Sequence, residues 1–162
     1  MTEKLGRGAQ KLQQYLNDAG CDVQVQELPD STRTAVDAAT AIGCELGQIA
    51  KSLVFAHGET EQLVLVIAAG DRNVDTAKLA SATGAEPSLA NPKMIKRELG
   101  YPIGGVPPVG HARKLPTLLD ESLRRFELLW AAAGSPHAVF SISVTDLHRL
   151  TGGSWSDLTT TI

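Results

Sequence analysis

The residues best suited to chemistry are a lysine at the start of an apolar strand and a loop rich in glycine and proline. Lys51 stands where a turn enters the run SLVFAH, so its stem can pack on the core while its ammonium lines a cleft. In the loop GGVPPVGH at 104–111, Gly104, Gly105 and Gly110 permit close backbone approach. The pair predicts one fixed cation beside a rigid loop.

The composition of this loop favours binding of a cationic group over an anionic one. Pro107 and Pro108 lack N–H groups, so carbonyl acceptors outnumber donors. Carbonyls suit the α-ammonium of an amino acid, whereas a phosphate requires N–H donors. Surface turns also contain Gly and Pro, and a lysine at a strand end is often only a snorkelling side chain, so each feature alone has a purely structural explanation.

Four further residues are candidates for the same site. His111 ends the loop, and Ser135 and His137 lie in the turn GSPH, although a lone histidine is usually structural or solvated. Asp120 ends the strand-like run LPTLLD and could orient Lys51, cap the helix that follows, or do both.

Charge and missing motifs narrow the possible functions. The 162 residues carry a formal net charge of -3, which argues against broad electrostatic binding of nucleic acid. The sequence lacks a serine nucleophile elbow, a Walker loop, an HExxH motif and a Rossmann fingerprint, so hydrolysis would need another strategy. Seven basic residues flank the loop and either contact phosphates or belong to solvated helix faces: Lys93, Lys96, Arg97, Arg113, Lys114, Arg124 and Arg125.

Hydropathy predicts a cytoplasmic protein with no membrane partner. No basic region followed by an apolar stretch comes after Met1. The longest apolar run, LVLVIAA at 63–69, is too short to span a bilayer.

Helices and strands alternate along the chain and must position these residues. Periodicity and capping residues predict helices at 8–19, at 34–43 with Ser31 or Thr32 as its cap, at 76–83 after Asp75, at 92–99 after Asn91, from 121 and from about 145. Strands are predicted near 23–25, at 52–57 and 62–70 around the turn GETE, at 87–90, at 115–120, at 127–133 and at 137–142. We therefore expect one α/β or α+β domain over 1–162.

Five segments in a fixed order resemble the YbaK/proline-tRNA-synthetase-associated domain family. The specific features are a lysine entering a strand, a GG-x-x-P-x-G loop and a late LPT-hydrophobic-Asp strand. The segments are IAKSLVF at 49–55, LASATGA at 79–85, GYPIGGVPPVGH at 100–111, LPTLLDESL at 115–123 and SVTDLHRLTGG at 143–153.

The resemblance implies a YbaK-like single domain with a mixed, mostly antiparallel sheet flanked by helices. It implies an aminoacyl-tRNA deacylase that hydrolyses, in trans and without metal or cofactor, the ester of a mischarged tRNA. The expected substrate is a small amino acid such as Cys or Ala on the 3′ adenosine of tRNA(Pro), with prolyl-tRNA synthetase as a further partner. The amino acid, the tRNA and the oligomeric state are left open.

Residue roles follow from the same resemblance. Lys51 matches the critical lysine, and would hold the 3′ end and stabilise developing negative charge, while an adenosine hydroxyl or the substrate's side chain assists. Carbonyls near Gly104 and Gly105 would hold the ammonium. The residues expected to bind substrate are Gly104, Gly105, Val106, Pro107, Gly110, His111, Asp120, Ser135 and His137, of which Pro107, His111 and the GSPH turn depart from the family pattern.

Two other classes of protein fit the same residues. The fold could serve as a binding module that holds an aminoacyl-tRNA, an amino-acid derivative or a synthetase without turnover. It could also be an interaction protein in which the loop is purely structural.

Overall fold

A computed structural model describes residues 5–58, 60 and 62–162, so the start of the chain and Glu59 and Glu61 of the turn GETE lie outside the described residues. The helices are α1 (Arg7–Asp18), α2 (Ala35–Ile42), α3 (Thr76–Thr83), α4 (Pro92–Leu99) and α5 (Val144–Thr151). The strands are β1 (Gln26–Glu27), β2 (Ala50–His57), β3 (Leu63–Ala69), β4 (Arg72–Val74), β5 (Pro87–Leu89), β6 (Thr117–Asp120), β7 (Leu128–Ala132), β8 (Ala138–Ser143), β9 (Ser154–Ser156) and β10 (Thr159–Thr161). Two 3₁₀ turns cover Leu46–Gln48 and Glu121–Arg125.

The largest sheet is mixed and has β3 at its centre. Its strand order is β5-β2-β3-β6-β9, with β2 antiparallel to both neighbours and β6 parallel to both of its own. Every residue of β3 is buried, as its unbroken apolar sequence predicts for a strand covered on both faces. Antiparallel ladders also build the β1-β8-β7 sheet and the β4-β10 ribbon. The predicted α/β class with mixed, mostly antiparallel pairing is confirmed.

Capping residues explain where the helices begin and end. Asp75 and Asn91 accept hydrogen bonds from the first backbone N–H groups of α3 and α4. Gly84 and Gly100 end these helices in the left-handed conformation, with φ of 81° and 86°. Both helices therefore match their predicted bounds.

The predicted cap of α2 is wrong. Neither Ser31 nor Thr32 caps the helix, because Thr34 accepts the hydrogen bond from Asp37 N–H. Thr32 is instead buried, and both its N–H and its hydroxyl donate to the carbonyl of Pro136, at 2.6 Å and 2.9 Å. Thr32, which the local sequence pattern predicted as a cap, thus makes a long-range contact instead.

Short strands account for the other differences. No strand forms at the predicted 23–25; pairing begins at β1. Sequence periodicity also missed β4, β9 and β10, which have three residues each and are defined by their partners rather than by their own alternation.

One edge of β2 is left open, and this opening positions the site. β5 pairs only with positions 55–57 of β2, and an isolated bridge joins Ile49 to Trp130 at the other end. Between them the edge at 51–53 has no strand partner among the described residues. Within the same part of the chain, no helix is long and apolar enough to cross a membrane.

Candidate active site

A cavity of about 510 Å³ lies at this open edge of β2. Ligand pockets in proteins typically hold roughly 300–1,000 Å³, so the cavity is large enough for a small organic molecule. Helix α2 contributes Ala35, Ala38 and Ile42, whose spacing of three and four puts them on one face. Other walls come from α4, β7 and the loop, and β2 contributes the positions 50–54.

Lys51 lines this cavity, as its position at the start of β2 predicts. Its Nζ donates a hydrogen bond to the carbonyl of Arg72 in β4. Burial lowers the pKa of the Lys51 ammonium below its usual value of 10.5, and the negative charge of Asp71 partly opposes this shift. An ammonium carries three N–H donors, so the contact with Arg72 leaves two for a ligand.

Ser52 was not considered in the sequence analysis, although it lines the same cavity. Its hydroxyl oxygen is buried and has no hydrogen-bond partner among the described residues. In an antiparallel strand, alternate residues direct their backbone groups to the same edge. Since the Val54 carbonyl accepts from Ala90 N–H at 3.1 Å on the β5 side, the backbone groups of Ser52 face the open edge as well.

The loop divides into a front half (104–106) and a back half (108–111), which line different cavities. Gly104 and Val106 of the front half line the cavity of Lys51. Gly105 lies against the GSPH turn: its carbonyl accepts from Gly134 N–H at 2.9 Å, and a Cβ at this position would meet the backbone of Ser135 at 2.7 Å. Only glycine allows this approach.

The back half faces a second cavity of about 110 Å³. His111 lines that cavity, and its Nε2 lies 2.6 Å from the carbonyl of Pro107. Burial lowers the pKa of His111, which favours the neutral form of the ring, while the contact with Pro107 partly opposes this shift. Gly110 accepts a hydrogen bond from the hydroxyl of Tyr101 at 3.1 Å. The structure thus places Gly110 and His111 at the smaller cavity, apart from Lys51.

The expected surplus of free carbonyls in the loop is smaller than the composition suggests. The carbonyls of Gly105, Pro107 and Gly110 already accept hydrogen bonds from Gly134, His111 and Tyr101. Among the described contacts, the carbonyls of Gly104 and Val106 accept none, and both residues line the cavity. These two carbonyls are therefore the acceptors that the loop offers to a ligand in the cavity of Lys51.

The GSPH turn supports the cavity without lining it. Gly134 and the backbone of Ser135 contact Gly105, and the Pro136 carbonyl holds Thr32. His137 of the same turn is exposed and makes a separate contact: its ring lies 3.3 Å from the carbonyl of Asp30. Ser135 and His137 therefore do not form the wall of the cavity, and each contacts a neighbouring segment instead.

Asp120 does not line the cavity of Lys51, and its carboxylate is taken up by hydrogen bonds elsewhere. The carboxylate is 1% exposed and accepts from Leu158 N–H at 2.8 Å and from the Thr159 hydroxyl at 2.9 Å. It also accepts from the N–H and the hydroxyl of Ser122. The alternative prediction, a cap on the following turn, is confirmed, and the same carboxylate fixes the C-terminal segment.

Besides Ser52, two further cavity residues of interest lay outside the sequence prediction. Trp130 of β7 offers a half-buried aromatic surface, and Arg33 precedes α2 and packs against Gly104. Neither position carries a local signal of function. Among the described residues that line the cavity, the ionisable side chains are Arg33 and Lys51, so a cavity with mostly apolar walls has cationic groups and no carboxylate.

The basic residues that flank the loop are partly engaged elsewhere. Arg125 forms a bidentate ion pair with Asp71, at 2.7 Å and 3.0 Å, while Arg97 and Arg113 both approach Glu98.

Described residues include no group of three or more His, Cys, Asp and Glu side chains placed to hold a metal ion. The arrangement can therefore bind a small polar molecule and stabilise negative charge upon it.

Comparisons with known proteins match most of this chain. A family model described as an aminoacyl-tRNA editing domain matches residues 29–150. The chain is 35% identical over 135 residues to the uncharacterised protein YwhH of Bacillus subtilis (strain 168), covering 83% of this chain and 85% of that protein. It is 30% identical over 128 residues, 78% of this chain, to 77% of an Enterococcus faecalis (strain ATCC 700802 / V583) protein named "Putative Cys-tRNA(Pro)/Cys-tRNA(Cys) deacylase EbsC".

A solved structure extends the similarity to nearly the whole chain. It is described as a "putative trans-editing enzyme for prolyl tRNA synthetase" and is 40% identical to this chain. The two superpose with a TM-score of 0.91 over 97% of this chain and 99% of the other.

Proposed function

This chain belongs to the aminoacyl-tRNA editing domain family, and from that premise we propose that it hydrolyses, in trans, a small amino acid such as Cys or Ala from mischarged tRNA(Pro). Editing cleaves the ester between the amino acid and the terminal adenosine of the tRNA. The observation that carries the proposal is the cavity in which Lys51, Ser52 and the front half of the loop meet. Its volume of about 510 Å³ suits an adenosine that bears a small amino acid.

The reaction needs no protein nucleophile, because an aminoacyl ester is already activated. Water attacks the ester carbonyl, and the carbonyl oxygen becomes an oxyanion in the tetrahedral intermediate. Collapse of this intermediate breaks the bond to the ribose oxygen, which leaves as a hydroxyl, and releases the amino acid as a carboxylate. A hydroxyl of the terminal adenosine, or the substrate's own side chain, orients the attacking water, so the protein's part is positioning and electrostatic stabilisation.

Lys51 stabilises the oxyanion in this proposal. A cation placed in a mostly apolar cavity interacts more strongly with developing charge than it would in water. The bond to the Arg72 carbonyl fixes the direction of Nζ, and two donors remain. Asp71 favours the charged form of Lys51 against the effect of burial.

Ser52 and Val106 orient the rest of the substrate. A buried hydroxyl without a hydrogen bond costs stability, so a substrate oxygen or amine at Ser52 Oγ would recover a contact that the empty cavity lacks. The free carbonyl of Val106 suits the substrate's amino group. Val106 as a residue is 7% exposed, and its side chain limits the room for the side chain of the bound amino acid.

Deacylation assays test the proposal directly. Purified protein is incubated with Ala-, Cys- and Ser-tRNA(Pro), with Pro-tRNA(Pro) as the control, and release of labelled amino acid is followed. We expect release from at least one mischarged tRNA and little from Pro-tRNA(Pro). Lys51→Met keeps the aliphatic stem but removes the charge, and should lower kcat/KM by at least about a hundredfold, whereas Lys51→Arg should retain part of the activity.

Two results would contradict the proposal. Full activity in Lys51→Met, with the fold verified by circular dichroism, would remove Lys51 from the reaction. A stable complex with aminoacyl-tRNA in filter binding, with no amino acid released from any of the four, would favour a binding module instead. Prolyl-tRNA synthetase is the partner expected to supply the mischarged tRNA, and co-purification with it is the corresponding test.

A further inference from the structure

Arg33 is placed as a second cationic contact in the same cavity. Its side chain lies over Gly104, where its Cγ is 2.7 Å from the point that a Cβ would occupy. Gly104 has φ of 86°, so both the backbone conformation and the missing Cβ accommodate the arginine stem. Among the described residues, the Arg33 guanidinium forms no hydrogen bond or ion pair, and it is exposed at the cavity wall.

The backbone at and just before this arginine is held by hydrogen bonds. Arg33 N–H donates to Ser31 Oγ at 3.2 Å, and Thr32 is held twice by the carbonyl of Pro136. The same turn holds Gly105 through Gly134. Arg33 and the front half of the loop are therefore braced against one turn, which keeps the guanidinium at the Gly104 end of the cavity.

We propose that Arg33 binds the phosphate on the 5′ side of the terminal adenosine while Lys51 acts at the ester. This inference rests on the proposed function. A guanidinium binds a phosphate through two parallel N–H donors, and no carboxylate lines the cavity to compete for it among the described residues. Its positive charge also disfavours an ammonium at Gly104, which makes the Val106 carbonyl the acceptor for the substrate's amino group.

Two small substrates that differ by one phosphate separate this role from that of Lys51. They are 3′-O-alanyl-adenosine and its 5′-monophosphate. In Arg33→Gln, we expect KM for the monophosphate to rise about tenfold with kcat nearly unchanged, and KM for the nucleoside to stay within twofold of the wild-type value. For the monophosphate, KM of Arg33→Lys should lie between the values of the wild type and of Arg33→Gln. Lys51→Met should lower kcat for both substrates alike.

Arg97→Gln is the matched control, because Arg97 is exposed on α4 and outside the cavity. It should leave KM for both small substrates unchanged. Equal effects of Arg33→Gln on the nucleoside and the monophosphate, or no effect on either, would overturn the assignment of the phosphate to Arg33.

A binding measurement keeps the inference testable if hydrolysis itself is not observed. Titration of AMP and of adenosine, followed by NMR, gives the preference for the phosphate without turnover. Wild-type protein should bind AMP more tightly than adenosine, and Arg33→Gln should lose that preference. Equal binding of the two ligands by wild-type protein would overturn the inference, whereas absent hydrolysis alone would contradict only the deacylase.

Discussion

Both halves of the loop contain glycine and valine, but their surroundings differ. In the front half, Gly104 and Val106 line a cavity of about 510 Å³ with Lys51 and Arg33. The back half lines a cavity of about 110 Å³, where His111 and Gly110 are already engaged by hydrogen bonds within the protein. The front half is open to a ligand, while the back half holds the loop on the core.

This difference assigns separate consequences to substitutions only a few residues apart. A change in the front half should alter catalysis or substrate choice, while a change in the back half should alter stability. Gly105 is the exception within the front half, because it contacts the GSPH turn and not the cavity. The difference between the two halves can therefore be tested by making the same type of substitution once in the front half and once in the back half.

The largest effect is expected from Gly105→Ala. The added Cβ would lie 2.7 Å from Ser135 N and 2.8 Å from its Cα, and backbone atoms cannot move aside as a flexible side chain can. We expect a loss of about 3 kcal/mol in the free energy of unfolding, measured in urea, together with loss of deacylation as the front half is displaced.

Gly110→Ala is the partner of this substitution in the back half. Its cost comes from φ of 80° and from contact with the Leu12 side chain at 3.1 Å, and should be about 1–2 kcal/mol. Folded Gly110→Ala should keep wild-type kcat/KM. Equal losses of activity in the two variants at matched folded fraction would contradict the division of the loop.

The sequence predicted the elements whose signals are local. The helices α3 and α4 have a cap at each end, and β3 is an unbroken apolar run, so their bounds needed no tertiary information. Lys51 was placed correctly in the cavity for the same reason, since a turn and a strand fix its position.

The rest depends on contacts between segments far apart in the chain. Asp120 is open to two interpretations in the sequence, because its partners Leu158, between β9 and β10, and Thr159 of β10 lie far along the chain. The sequence alone could not show that the loop has a front half and a back half with different surroundings. That division depends on which segments pack against each half. Arg33 is an ordinary arginine before a helix, and only its position over Gly104 relates it to the cavity.

An intermediate effect, on selectivity rather than on stability, is expected from Val106→Ala. The shorter side chain enlarges the cavity where the amino acid is proposed to lie, and each methylene there is worth about 1–3 kcal/mol of discrimination. The ratio of kcat/KM for Pro-tRNA(Pro) to that for Ala-tRNA(Pro) should rise about tenfold. Parallel deacylation assays with the two tRNAs measure it.

Val109→Ala makes the same change in the back half and serves as the control. Val109 is 3% exposed and belongs to the main core, so its truncation should cost about 2 kcal/mol of stability. The ratio of kcat/KM for Pro-tRNA(Pro) to that for Ala-tRNA(Pro) should remain that of the wild type. If Val109→Ala changed this kcat/KM ratio as much as Val106→Ala does, selectivity would not depend on the wall of the larger cavity.

The smallest effect is expected from His111→Gln, as a change in the pH dependence of stability. Burial lowers the pKa of His111 in the folded protein, so as pH falls below about 6.5 the unfolded chain takes up a proton that the folded protein resists. The wild type should therefore lose stability between pH 7.5 and 5.5, by less than about 1.4 kcal/mol from this group, and His111→Gln should lose less. Urea unfolding at the two pH values measures the difference, with exposed His148→Gln as the control. Deacylation at pH 7.5 should stay within twofold of the wild type, because His111 lines the smaller cavity; a tenfold loss in a stable His111→Gln protein would return the back half to the active site.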